Sequence, residues 1–230
     1  TRSKRRRDSG DPVIAIVGYT NAGKSTLFNR LTDAGVLVED RLFATLDSTV
    51  RRLDLPEGHR ALVSDTVGFV RDLPHELVEA FRSTLEEATD ADLLVHLVDA
   101  SDADPDHQVG SVHAVLDEIG ASGVPELIVF NKIDMVDETT ERRLRSLHPD
   151  ALFLSARTGA GVDALLERIV AGLEAATVQL ELMIPYERGD VLADVHASGE
   201  VLDQHHNDTG TEVTVRLPHD SASRFRAYVA

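Results

Sequence analysis

An α/β fold, with a mostly parallel sheet covered by helices on both faces, is what this sequence predicts, followed by a smaller α+β unit. Three observations predict it. Short apolar runs rich in valine, isoleucine and leucine alternate with longer segments of helical periodicity over most of the chain. One of these runs, Val13-Ile14-Ala15-Ile16-Val17, leads into a glycine-containing loop and from there straight into an amphipathic stretch. Beyond about residue 176 the rhythm changes to strand, helix and a closing strand pair.

The elements follow in order. Residues 13–17 form a buried strand, and a helix is predicted over 24–33. Thr49–Leu55 and Arg60–Ser64 flank Pro56-Glu57-Gly58-His59, a turn that makes them an antiparallel hairpin. Asp92–Val98, Glu126–Phe130 and Ala151–Leu154 are further short strands, separated by helices over 74–90, 107–121 and 138–147. In the helix over 161–175, Val162, Leu165, Leu166, Ile169, Val170 and Leu173 share one face, and Gly159-Ala160-Gly161 marks its start. The last segment reads as a strand at Leu180–Ile184, a helix over 186–197, two strands at Val201–His205 and Thr211–Leu217 around Asn207-Asp208-Thr209-Gly210, and a helix from Ser221. The division expected is a basic linker remnant over 1–10, one domain over 11–176 and a second over 177–230.

With 230 residues the chain has room for both cores. No apolar run approaches the roughly 18 residues of a membrane span, and no secretory-type leader precedes the first strand. The absence of cysteine excludes disulfides and thiolate metal sites and fits a cytoplasmic protein; a monomer is expected. Forty acidic residues against 23 basic ones leave a net charge of −17, and the only lysines are Lys4, Lys24 and Lys132. Such a surface suits high salt; an ordinary acidic protein from a high-GC source is the alternative. It also argues against broad coating of nucleic acid, so any RNA contact is local. Thr1–Arg7 reverses the trend with five basic residues, either a nucleic-acid-contacting arm or a solvated linker. With no initiator methionine, the chain is expected to be a fragment of a longer protein.

Gly18-Tyr19-Thr20-Asn21-Ala22-Gly23-Lys24-Ser25, followed by Thr26, matches the phosphate-binding loop G-x-x-x-x-G-K-[ST] and lies between a strand and a helix, as that loop requires. Glycines 18 and 23 allow successive backbone N–H groups to converge on a β-phosphate at the helix N-terminus. Lys24 is placed to reach β- and γ-phosphate oxygens, and the Ser25 hydroxyl to hold Mg²⁺. Asp65-Thr66-Val67-Gly68 follows the strand ending at Ser64. There Asp65 can hold Mg²⁺ through a water, and the Gly68 N–H can sense the γ-phosphate. Asn131-Lys132-Ile133-Asp134 closes another strand: Asp134 can accept from guanine N1–H and the 2-amino group, Lys132 can lay its methylenes along the base, and Asn131 braces the loop. Ser155-Ala156, with Arg157 after them, completes the pocket by offering backbone N–H to guanine O6. In this register the three motifs define a P-loop NTPase of the small G-protein type that takes GTP rather than ATP.

These motifs, together with Phe43-Ala44-Thr45-Leu46-Asp47, the continuation from Asp65 to His75, Leu77–Phe81 and Val98-Asp99-Ala100-Ser101, resemble the HflX family of ribosome-associated GTPases. The resemblance is strong over 11–176 and loose beyond. It implies an N-terminal domain and a basic helical linker upstream, with the arginine-rich start as the tail of that linker. It implies that 43–47 is switch I and that Thr45 is a Mg²⁺ ligand in the GTP state; the residues alone would rank Ser48 and Thr49 equally. It implies binding of the large ribosomal subunit in the GTP form, with rescue or splitting of stalled ribosomes as a possible role. The catalytic set is then Lys24, Thr45 and Gly68, and the metal set Ser25, Thr45 and Asp65.

Phe69 stands where Ras-like enzymes place a water-orienting glutamine, so hydrolysis to GDP is expected to be slow without a partner. Asn21 occupies a P-loop position that binds K⁺ in several related GTPases, and K⁺ stimulation is the corresponding expectation. Two other readings stay open: a GTP-regulated binding module, and a related GTPase of ribosome assembly or RNA modification. The histidines at 196, 205, 206 and 219 read as surface residues rather than a metal site, and Asp102–Asp106 as a helix-leading loop.

Overall fold

A computed structural model describes residues 11–32, 49–66, 68 and 87–230. It divides into two compact units, Pro12–Gly172 and Leu173–Ala230.

In the first unit, β1 (Val13–Gly18) is buried along its whole length, as its unbroken run of apolar side chains requires. It is followed by α1 (Lys24–Thr32), β2 (Thr49–Asp54), β3 (Arg60–Asp65), β4 (Leu93–Asp99), α2 (Pro105–Glu118), β5 (Glu126–Asn131), α3 (Glu138–Leu147), β6 (Leu152–Phe153) and α4 (Val162–Ala175). The sheet order is β2-β3-β1-β4-β5-β6. Only β2 runs antiparallel, against β3, across the turn at Pro56–Gly58. The other neighbours are parallel, so the carboxyl ends of β1, β3, β4, β5 and β6 share one edge. The phosphate loop, Asp65 and Asn131–Asp134 lie at or just beyond the ends of β1, β3 and β5.

Local chemistry sets the helix starts. The Asp104 side chain accepts from the His107 N–H and Pro105 occupies the first turn of α2, while Asp137 accepts from the Thr140 N–H to start α3. On one face of the sheet, Ala15, Val17 and Leu94 pack against Val112, Val115 and Leu116 of α2. A second core cluster joins Val98, Ala100 and Leu144 to Phe130, which stacks on Phe153 with ring centroids 5.1 Å apart.

The second unit comprises β7 (Thr177–Ile184), α5 (Gly189–Ser198), β8 (Glu200–His206), β9 (Thr211–Pro218) and a short α6 (His219–Ala222). Its three strands are antiparallel in the order β7-β9-β8, with a bulge between Val201 and Asp203. Strand alternation in β9 sends Val213, Val215 and Leu217 to a core shared with Leu182, Ile184, Val191, Val195 and Phe225. Strand β7 starts three residues earlier than the sequence expectation of 180, because Thr177, Val178 and Gln179 pair with Pro218, Leu217 and Arg216.

Candidate nucleotide site

The phosphate loop turns where the chain has no room for side chains. Gly18 has φ +147°, and a Cβ there would stand 2.2 Å from the Leu97 carbonyl oxygen of β4. Gly23 has φ +96°, and a Cβ there would stand 2.3 Å from Asn131 Nδ2. Asn21 adopts the left-handed region at φ 60°, with its side chain exposed. The Ala22 N–H closes a turn on the Tyr19 carbonyl at 3.2 Å, and the Leu27 N–H to the Gly23 carbonyl, at 2.9 Å, carries the chain into α1.

Lys24 is buried, with its ammonium donating to the carbonyls of Gly18 at 3.1 Å and Tyr19 at 3.0 Å. Burial pulls its pKa down to about 8, against the opposing attraction of Asp65. The Ser25 hydroxyl donates to Asp65 Oδ2 at 2.7 Å, so the two residues assigned to the metal already share one spot. A serine hydroxyl with a carboxylate beside it is a donor set that fits Mg²⁺. Thr66 is buried and donates from its hydroxyl to the Ile16 carbonyl at 2.7 Å, tying β3 to β1. A Cβ at Gly68 would lie 3.0 Å from Lys24 Nζ and 2.9 Å from Thr20 Cγ2, which puts its backbone against the phosphate loop. Phe43, Ala44, Thr45, Leu46, Asp47, Val67 and Phe69 lie outside the described residues.

Asn131 joins the two ends of the site. Its Nδ2 donates to the Ala22 carbonyl at 2.8 Å, and its Oδ1 accepts from the Ala156 N–H at 2.8 Å. Lys132 turns the chain at φ 66° and its ammonium pairs with Asp99 Oδ2 at 2.6 Å. Ile133 follows with its N–H on the Leu154 carbonyl at 3.3 Å. The Asp134 carboxylate is bound by the Arg157 guanidinium. Hydrogen bonding from Ser155, with the charge of Arg157 adding to it, holds that carboxyl below the usual aspartate range.

The two backbone N–H groups expected to face O6 have partners within the protein, that of Ser155 on the Ala160 carbonyl at 2.9 Å and that of Ala156 on Asn131, so Asn131 braces the loop with its oxygen as well as its nitrogen. Two contributors escaped the sequence reading. Arg30 of α1 donates to the carbonyls of Ala156 at 2.5 Å and Arg157 at 2.6 Å, and Asp99 anchors Lys132. The sequence marks Asp99 only as part of the Val98–Ser101 resemblance, with no role, and the structure sets it beside Asn131 in register; nothing local marks Arg30.

Fold and site together define a P-loop GTPase domain. A family model described as 50S ribosome-binding GTPase matches residues 13–132. A "GTPase HflX" of Gluconacetobacter diazotrophicus is 46% identical over 229 residues, covering 100% of this chain and 50% of that protein. One of Magnetococcus marinus is 46% identical over 220 residues, covering 94% and 51%. The chain belongs to the HflX family of GTPases, and it spans about half the length of the curated relatives it matches. Among solved structures, a GTP-binding protein of the archaeon Sulfolobus solfataricus in complex with GDP is 29% identical, with a TM-score of 0.53 over 75% of this chain and 54% of that one.

Proposed function

We propose that the chain binds GTP and GDP with Mg²⁺ and hydrolyses GTP with water to GDP and phosphate. The observation that carries this is the pair of hydrogen bonds of Asn131, Nδ2 donating to the Ala22 carbonyl and Oδ1 accepting from the Ala156 N–H, which ties the phosphate loop to the base loop. On this reading 11–176 is the GTPase domain, 177–230 a separate α+β domain, and 1–10 the end of a basic linker. Lys24 exchanges its bonds to Gly18 and Tyr19 for β- and γ-phosphate oxygens. Ser25 and Thr45 ligate Mg²⁺, and Asp65 reaches it through a water. Bound there, the ion neutralises charge on the β- and γ-oxygens. Gly68 donates its N–H to the γ-phosphate, and Asp134 leaves Arg157 to accept from the guanine edge.

With Phe69 unable to orient a water, turnover is slow until a partner completes the site. The family description, a 50S ribosome-binding GTPase, supports the large ribosomal subunit as that partner. On this reading the full-length protein acts in the cytoplasm, in the rescue or splitting of stalled ribosomes. The exposed Asn21 is the residue through which K⁺ acts. The test is GTP hydrolysis in KCl and in NaCl, with and without 50S subunits. Stimulation by 50S supports the ribosomal reading, and equal rates in the two salts remove the K⁺ assignment. Failure to bind GDP at all overturns the reading at its root.

A further inference from the structure

Nucleotide chemistry leaves one cluster in the GTPase unit unused. His96 lies in the middle of β4, in register with Val17 of β1 and Ile128 of β5, and its side chain is fully buried. Its Nδ1 meets Glu126 Oε1 at 2.6 Å. His113 comes down from α2 onto the same carboxylate, with Nε2 at 2.9 Å from Oε2 and 3.1 Å from Oε1. The two imidazoles stand edge to face, 5.6 Å between centroids. The ligand atoms of all three residues lie within 4.8 Å of one another, and among the described residues no other three histidine or carboxylate side chains converge in this way.

Two imidazole nitrogens and a carboxylate oxygen are the donors of a zinc-type ion with its fourth position open. Tetrahedral coordination at about 2.0–2.1 Å sets ligand atoms roughly 3.3 Å apart. The histidine–carboxylate contacts of 2.6–3.1 Å therefore need to widen by about 0.2–0.7 Å. The two partners that must yield can do so, since the side chains of His113 and Glu126 are 43% and 22% exposed while His96 is locked in the sheet. His96 Nε2 has no hydrogen-bond partner among the described residues, so Nδ1 is the nitrogen through which this ring does polar work. Burial lowers the His96 pKa and so favours its neutral ring; although burial raises the Glu126 pKa, hydrogen bonds from His96 and His113 lower it overall. An ion on Nδ1 takes the place of the proton that the ring now directs at Glu126, and that proton moves to Nε2.

We propose that His96 Nδ1, His113 Nε2 and the Glu126 carboxylate form a site for a divalent transition metal of the zinc type, with water in the fourth position. The ion pins α2 to β4 and β5, one residue before Leu97, whose carbonyl backs Gly18 of the phosphate loop. Mg²⁺ does not compete, because a hard cation prefers an all-oxygen shell.

The test titrates the full chain with Zn²⁺ in excess Mg²⁺ by calorimetry, and with Co²⁺ by visible absorption. One equivalent is expected, with binding at least tenfold weaker in both His113→Asn and Glu126→Gln. It should be unchanged in a His196→Asn, His205→Asn double variant, whose histidines contact Gln204 and Asp203 in the other unit. Zn²⁺ should raise the melting temperature of the parent protein and not that of His113→Asn. Both single variants should keep their GDP affinity, which separates this site from the nucleotide site. The proposal is overturned if the parent chain takes up no stoichiometric Zn²⁺, or if His113→Asn and Glu126→Gln bind it as tightly as the parent.

Discussion

At the phosphate end of the nucleotide site the contacts come from backbone bent by Gly18 and Gly23, with one buried ammonium at the centre; at the base end they come from side chains, Asn131, Lys132, Asp134 and Arg157, several of them at the surface. The first arrangement is rigid because a carbonyl or amide sits 2.2–2.3 Å from where any side chain would start. The second can exchange partners, since the Asp134–Arg157 pair costs little to open in water. On the proposed reading, holding the charged groups of the ligand and choosing its base fall to parts with different mechanical character.

The comparison breaks most visibly at Lys24. Lys24→Met should lower GDP affinity by about a hundredfold or more, measured by fluorescent-nucleotide titration, because charge-assisted bonds contribute about 1.5–3 kcal/mol each. The same change should stabilise the nucleotide-free chain. With its folded pKa near 8 against 10.5 unfolded, Lys24 binds a proton less readily in the native state. Its burial then costs about 3 kcal/mol below pH 8, and this is recovered as pH rises towards 10.5. Urea melts at about pH 7 and about pH 10 should show the parent gaining on Lys24→Met as pH rises; a constant gap would mean that the ammonium is better solvated than its surroundings imply.

Asn131→Ala comes next, because it strips partners from both ends, the Ala22 carbonyl and the Ala156 N–H. A loss of about 2–4 kcal/mol in stability is expected by chemical denaturation, with GDP and inorganic pyrophosphate both bound more weakly. If only GDP suffered, the two ends would be independent. Asp134→Asn should act on one end alone: GDP affinity falls by roughly ten- to a hundredfold while ADP binding stays as it was, narrowing their ratio. An equal fall for both nucleotides would move Asp134 from base selection to loop structure. The smallest effect belongs to Arg157→Ala, threefold or less on GDP affinity, as for an exposed pair worth about 0–1 kcal/mol. A tenfold gain would show that the competition of Arg157 with the base for Asp134 costs more than an exposed pair should.

Much of this site could be read along the chain, for a stated reason. The phosphate loop, Asp65–Gly68 and Asn131–Asp134 are each contiguous, and each is set down by the end of one apolar strand. Periodicity placed the strands to within a few residues, with Thr177–Gln179 joining β7 only because β9 extends to meet them. What stayed hidden spans long intervals. Arg30 meets the carbonyls of Ala156 and Arg157 across 126 and 127 positions, and Lys132 meets Asp99 across 33. The histidine–carboxylate cluster draws on β4, α2 and β5, with 30 residues between its two closest partners in space.

By itself the sequence determined the α/β class, the order of the elements, the phosphate loop and the Asn131–Asp134 motif proposed to read guanine, because helical and strand periodicity and glycine-dependent turns act over a few neighbouring residues. Tertiary structure alone decided that Asn131 links the Ala22 carbonyl to the Ala156 N–H, that the Leu97 carbonyl forbids a side chain at Gly18, and that His96, His113 and Glu126 face one another. Those outcomes depend on which parallel strands become neighbours and in what register, and register is a property of the whole packed sheet rather than of any local stretch.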